Sequence, residues 1–162
     1  MPKKNANSEN FYVFQVALKY QTSIWRTIKL PGEATLHELH NVIFKVFDRH
    51  DPHLYSFYIP MIVNGKRSRN RRNRLEYTSP EGFEFNPFFD DLGALNAGEV
   101  TLDEIGLTRN LKFDYLFDFG DSWEHTITVK SISKLESETV LGITEKHGDS
   151  PSQYPDLDDD WE

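Results

Sequence analysis

The sequence predicts an α+β fold: a mostly antiparallel sheet with one main helix and one short helix packed on one face. Three observations predict it. Residues Leu111 to Lys130 alternate with period two on both sides of a Gly120-Asp121-Ser122 turn, which is a hairpin pattern. Residues Thr35 to Phe47 carry the one long helical stripe. Extended and helical stretches follow one another in the order β-β-α-β-(α)-β-β, with no regular βαβ alternation.

Each element has a local cause. Tyr12, Phe14, Val16 and Leu18 alternate with Val13, Gln15 and Ala17, as in a strand. Gln21-Thr22-Ser23 turns the chain into a second strand, Ile24 to Leu30, which Pro31-Gly32 ends. Thr35 and Glu38 have the spacing of a capping box, followed by Leu36, Leu39, Ile43, Val46 and Phe47 at helical spacing. His53 to Ile62 is aromatic and β-branched and reads as a third strand. Residues 64–74 form a basic loop, and 79–98 a connection rich in Phe, Gly and Asp. Thr101 and Glu104 repeat the capping spacing at a short second helix. The 111–130 hairpin comes next, and Glu138 to Lys146 is a candidate edge strand.

Composition bounds the function. The 162 residues suit a single domain, expected over 11–147 between a flexible start (1–10) and an acidic, mobile tail (148–162). Twelve phenylalanines favour a strand-rich core, and zero cysteines remove disulfides and thiolate ligands and point to a reducing, cytoplasmic setting. The opening MPKKNANSEN has no apolar stretch of the secretory kind, and no run approaches the ~18 apolar residues that a membrane-spanning helix needs. A monomer is expected, with no cofactor and no metal. None of the six histidines has Arg three residues on, and neither a phosphate-binding loop nor a dinucleotide fingerprint is present, so recombinase and nucleotide chemistry find no support.

Three groups of residues carry candidate chemistry. The first is the hairpin turn with Asp118, Asp121, Trp123 and His125, to which a helix carrying His40 could add His40 and His53. Carboxylates and imidazoles brought together can bind a metal or act as acid and base. Asp and Gly are also what a tight turn needs, and a buried histidine commonly just bonds a neighbour. On the alternation, His125 faces into the sheet's covered side and Asp118 away from it. The second group is Trp25-Arg26. Adjacent strand residues point to opposite faces, so one is core and one exposed. Arg26 could pair with Asp114 or Asp118, or hold a ligand's carboxylate or phosphate. The third is the run Lys66, Arg67, Arg69, Arg71, Arg72 and Arg74, six of the chain's 18 Lys and Arg in a chain of net charge −8. Its expected partner is a nucleic acid or an acidic protein surface. It could instead be solvated or lie against the acidic tail Asp156–Glu162 with its Trp161.

Four motifs in order also carry a resemblance. They are Ile24-Trp25-Arg26-Thr27-Ile28 with Leu30-Pro31; Leu36 to His40; His53-Leu54-Tyr55-Ser56-Phe57; and FDFGDSWEH at Phe117 to His125. Together they resemble the plasmid pRiA4b Orf-3-like proteins of bacteria and archaea. Some members are labelled as passengers of a mobile genetic element or as its resolvase. The chain departs from the family pattern after Tyr154-Pro155, where many relatives carry a cysteine-containing segment and this chain has DLDDDWE. The resemblance implies an association with mobile elements. The sequence as a whole points to a non-enzymatic binding domain; the alternative is a small metal-binding protein or hydrolase-like enzyme built on Asp118 and His125.

Overall fold

A computed structural model of the chain describes residues 10–85, 93–136 and 141–154. Its main feature is an eight-stranded sheet in the order β10-β2-β1-β9-β8-β3-β6-β7. The strands are β1 (Asn10–Leu18), β2 (Gln21–Pro31), β3 (Tyr55–Pro60), β6 (Arg74–Thr78), β7 (Leu95–Asn96), β8 (Lys112–Phe117), β9 (Trp123–Lys134) and β10 (Gly142–His147). All neighbours are antiparallel except β6 and β7, which pair parallel through Tyr77–Leu95 and Thr78–Asn96, so the sheet is mixed. A separate two-stranded ribbon, β4 (Ile62–Val63) and β5 (Lys66–Arg67), carries the start of the basic run.

The alternation read from sequence sets the faces. In β1, Tyr12, Phe14, Val16 and Leu18 are buried; in β8, Phe113, Tyr115 and Phe117; in β9, His125, Ile127 and Val129. Helix α1 (Leu36–Val46) adds Leu36, Leu39 and Ile43 to this core, with Phe47 just beyond its end. The Thr35 hydroxyl accepts from the Glu38 amide at its N-terminus, which is one half of the capping box expected there. The full box forms at α3 (Leu102–Ile105), where Thr101 and Glu104 bond each other's main chain. The starts of the two helices are joined, since Leu36 N donates to Val100 O and Leu102 N to Ala34 O. Gly32 packs beside them: a Cβ there would displace the Asp103 carboxylate, which accepts from the Tyr12 hydroxyl.

Several expectations are corrected in detail. The 79–98 connection contains α2 (Pro80–Phe85), strand β7 and a 3-10 turn at Ala97–Glu99; residues 86–92 lie outside the described residues. The third strand starts at Tyr55, and the edge strand is Gly142–His147 rather than 138–146, with 137–140 outside the described residues. Phe119, which alternation assigns to the strand's apolar face, sits in the turn and is 42% exposed. The tail divides in two. Residues 148–154 are held against the domain, while Pro155 to Glu162, including the acidic run and Trp161, lie outside the described residues.

Candidate binding site

The hairpin turn is built around Asp118. Its φ of 65° is left-handed, a conformation that Asp tolerates because its short side chain bonds locally. Oδ1 accepts from the amides of Gly120 (3.1 Å) and Asp121 (3.3 Å), and the Asp118 amide donates to Leu54 O. The carboxylate is buried, where alternation had turned it outward, because it folds back over its own turn; Oδ2 lies 3.5 Å from His53 Nε2. Asp121 is exposed and joins the turn through its amide.

His125 is 1% exposed and contacts Tyr115, whose carbonyl lies 3.3 Å from its Nδ1. Its ring meets Phe47 edge-on at 5.2 Å. Burial, and then the nearby Arg49 cation, push its pKa down to about 3. Asp118 and His125 thus have different partners, and among the described residues no three His, Asp or Glu side chains gather as metal ligands.

Arg26 takes none of the carboxylates expected for it. It is fully buried, and its guanidinium donates to the carbonyls of Val46 (2.9 Å), Trp25 (2.9 Å) and His147 (3.1 Å) and to Ser150 Oγ (2.8 Å). The charge also lies 4.8 Å from the centre of the Phe47 ring. Trp25 is half-buried and stacks on His147 at 5.4 Å. The Trp25-Arg26 pair thus clamps the C-terminal segment. Beyond it, Gln153 is 3% exposed and its side chain accepts from the His50 and Asp51 amides and donates to Asp51 O. Trp123 Nε1 donates to Gln153 O, and the Arg49 guanidinium lies 4.2 Å from the centre of the Trp123 ring. Asp114 pairs instead with Arg74 (2.5 Å) and Arg71 (3.5 Å).

The basic run is divided by these contacts. Arg67 donates to Pro60 O, Ile105 O and Gly106 O, closing the C-terminus of α3. Arg74 is paired with Asp114 and lies over the Tyr58 ring at 4.9 Å. Lys66, Arg69, Arg71 and Arg72 remain exposed, and of these four only Arg71 has an ion pair among the described residues.

A cleft of about 580 Å³ opens between α1 and β3. His37, His40 and Phe44 line it from the helix, His53 and Tyr55 from the segment entering β3, and Glu81 from α2. His40 is 8% exposed and stacks face to face on Tyr55 at 3.8 Å; His37 stacks on His40 at 5.7 Å. His37 Nδ1 lies 2.7 Å from the Tyr55 hydroxyl, and His40 Nδ1 lies 2.6 Å from the Tyr115 hydroxyl. Burial, and then His37, lower the His40 pKa to about 3, while burial and Glu81 raise that of Tyr55. His53 Nε2 is also 3.0 Å from the Tyr154 hydroxyl. Tyr115 lies between His40 and His125, 5.0 Å from the latter's ring centre.

The family model for plasmid pRiA4b ORF-3-like proteins matches residues 10–152 of this chain. The chain belongs to the plasmid pRiA4b ORF-3-like family. The crystal structure of a protein of unknown function from Methanosarcina mazei Go1 is similar in fold to this pRiA4b ORF-3-like chain. The TM-score is 0.71 at 20% identity, over 90% of this chain and 74% of that one. No curated protein matches. The family match takes in Trp25-Arg26, the cleft, the Asp118 turn and the clamped segment as far as Ser152.

Sequence reasoning placed His40 on the helix stripe and His53 at the strand entrance, and the structure brings both to the cleft. It missed His37, Phe44, Tyr55, Glu81 and the buried Tyr115 beneath. The available signal was the pair of histidines three residues apart, which share a helix face.

Proposed function

We propose that this pRiA4b ORF-3-like domain is a non-enzymatic binding module that takes a small molecule in the cleft between α1 and β3. The observation that carries this reading is the cleft itself. Its volume of about 580 Å³ falls within the ~300–1,000 Å³ of small-molecule sites. Its walls are aromatic and apolar, interrupted by a few imidazoles, an amide and one carboxylate. Binding is favoured over chemistry because, among the described residues, the lining has no Ser, Thr or Lys, and its phenol Tyr55 is held by His37 with its pKa raised by burial. The depressed pKa of His40 also makes it a weak base at neutral pH. A chain without cysteine suits a reducing compartment, and we place the protein in the cytoplasm. No helix among the described residues is long and apolar enough to cross a membrane.

The test is a fragment screen by thermal shift on wild type and Asn41→Trp, which fills the cleft from one wall. Compounds that raise the melting temperature of wild type and leave the variant unmoved are expected. A library in which no compound distinguishes the two proteins overturns the reading.

The exposed side chains of Lys66, Arg69, Arg71 and Arg72 favour a second reading, contact with nucleic acid or an acidic protein surface. Anisotropy titrations with DNA and RNA, on wild type and Arg69/Arg71/Arg72→Ala, test it. About three to four phosphate contacts would give binding that weakens steeply with salt and is lost in the variant. No binding at low salt removes nucleic acid from consideration.

A further inference from the structure

If the cleft is a binding site, as proposed above, the hydrogen bonds beneath it fix which atoms it offers a ligand. Tyr115 is 1% exposed, and its hydroxyl has a single partner among the described residues, His40 Nδ1 at 2.6 Å. A buried phenol donates its proton where an acceptor is in reach. The Tyr115 O–H therefore donates to Nδ1, and the one proton of the neutral His40 ring sits on Nε2. The neighbouring pair is arranged alike. Tyr55 is 1% exposed, its hydroxyl has among the described residues only His37 Nδ1 at 2.7 Å, and its donation to Nδ1 leaves Nε2 as the N–H of the His37 ring.

Neither Nε2 has a partner among the described residues, and neither is sealed from solvent, as His125 Nε2 is. Both residues line the cleft, so the cleft is where a ligand would meet these N–H groups. The two rings lie 22° from parallel, with centres 5.7 Å apart. The cleft thus presents two neighbouring N–H donors in an apolar setting of Phe44, Leu54 and Pro52. Among the described residues no Lys or Arg lines it, and Glu81 adds a negative charge.

We propose that the cleft takes a small, largely apolar molecule through an sp² oxygen, as an uncharged carbonyl compound or a monocarboxylate, and rejects phosphates. Two N–H donors match one or two such oxygens. A doubly charged phosphate would meet no Lys or Arg among the described residues there and would face Glu81.

The test is NMR on the wild-type chain. Long-range ¹H–¹⁵N spectra of the imidazole rings report which nitrogen carries the proton. Four probes of one shape are then titrated: phenylacetamide, phenylacetate, phenyl phosphate and ethylbenzene. The expected result is a proton on Nε2 of both His37 and His40, both resonances moving with phenylacetamide or phenylacetate. Phenyl phosphate and ethylbenzene should bind at least tenfold more weakly. Which of the first two binds more tightly separates the uncharged source of the oxygen from the carboxylate. Protons on Nδ1, or phosphate or hydrocarbon binding in the cleft as tightly as the oxygen compounds, overturns the ligand class and leaves the cleft as a site. Silence of all four probes at millimolar concentration overturns the cleft reading and this one with it.

Discussion

Arg26 directs its guanidinium to three main-chain carbonyls and a hydroxyl, and among the described residues it has no ion pair. Arg26→Met should lower unfolding free energy in urea by about 2–4 kcal/mol, because the carbonyls of Val46 and His147 lose a charged donor. Arg26→Lys should recover little of that, since one ammonium cannot span the same set of oxygens. The strand pattern told that one of Trp25 and Arg26 was core, but not which partner Arg26 would take. Two of its acceptors are main-chain oxygens 20 and 121 residues away, and a carbonyl leaves no mark in a sequence. The same limit hid the cleft: Tyr55 and Tyr115 read as ordinary core positions of alternating strands. Two buried histidines make a further prediction. His40 and His125 both have folded pKa values near 3, below their ordinary value of 6.5. The unfolded chain therefore binds more protons in that interval. Their contribution to stability is complete above about pH 6.5 and is lost as pH falls toward 3, at up to about 1.4 kcal/mol per pH unit for each histidine. Unfolding curves between pH 7 and 5 should show that slope, and His125→Phe should reduce it by about half. An unchanged slope in the variant would show that His125 does not titrate as a sealed group.

At the level of elements, the Asp118 turn shows what a motif can and cannot say. Its residues were legible as a hairpin, and the strands on either side fold as their alternation requires, with Phe117 opposite Trp123. The carboxylate's direction was not legible, because it depends on a positive φ at Asp118 itself. This geometry separates two substitutions. Asp118→Asn keeps an acceptor for the Gly120 and Asp121 amides and suits a left-handed residue, so it should cost under about 1 kcal/mol. Asp118→Ala loses the acceptor and keeps the strained backbone, and should cost about 1–3 kcal/mol. Equal losses for the two, measured by urea unfolding, would mean that Asp118 acts through its charge and the nearby His53. The basic run differs from its sequence pattern for a related reason. Read as one solvated loop, it holds two arginines, Arg67 and Arg74, tied into the domain by a helix end and by Asp114. Such contacts come from Ile105, Gly106 and Asp114, which local composition does not connect with the run.

For the whole molecule, sheet order matters more than any one strand. The N-terminal β1 and β2 lie between the two last strands: β9 pairs β1, and β10 pairs β2. A chain stopped after Glu136 would lack β10 and the segment held by Arg26, Trp123 and Arg49. It should unfold without a sharp cooperative transition in circular dichroism, whereas the full chain should show one. A truncated form with the same sharp midpoint would show that β10 and the clamped segment only decorate the domain. The ordering also has a consequence on the ribosome. Lys19 and its cross-sheet partner Glu124 are 105 residues apart. At synthesis rates of ~5–20 residues per second, the first hairpin must wait roughly 5–20 seconds for its neighbours, with both of its outer edges open. During translation it is therefore the stretch of this protein most in need of a chaperone.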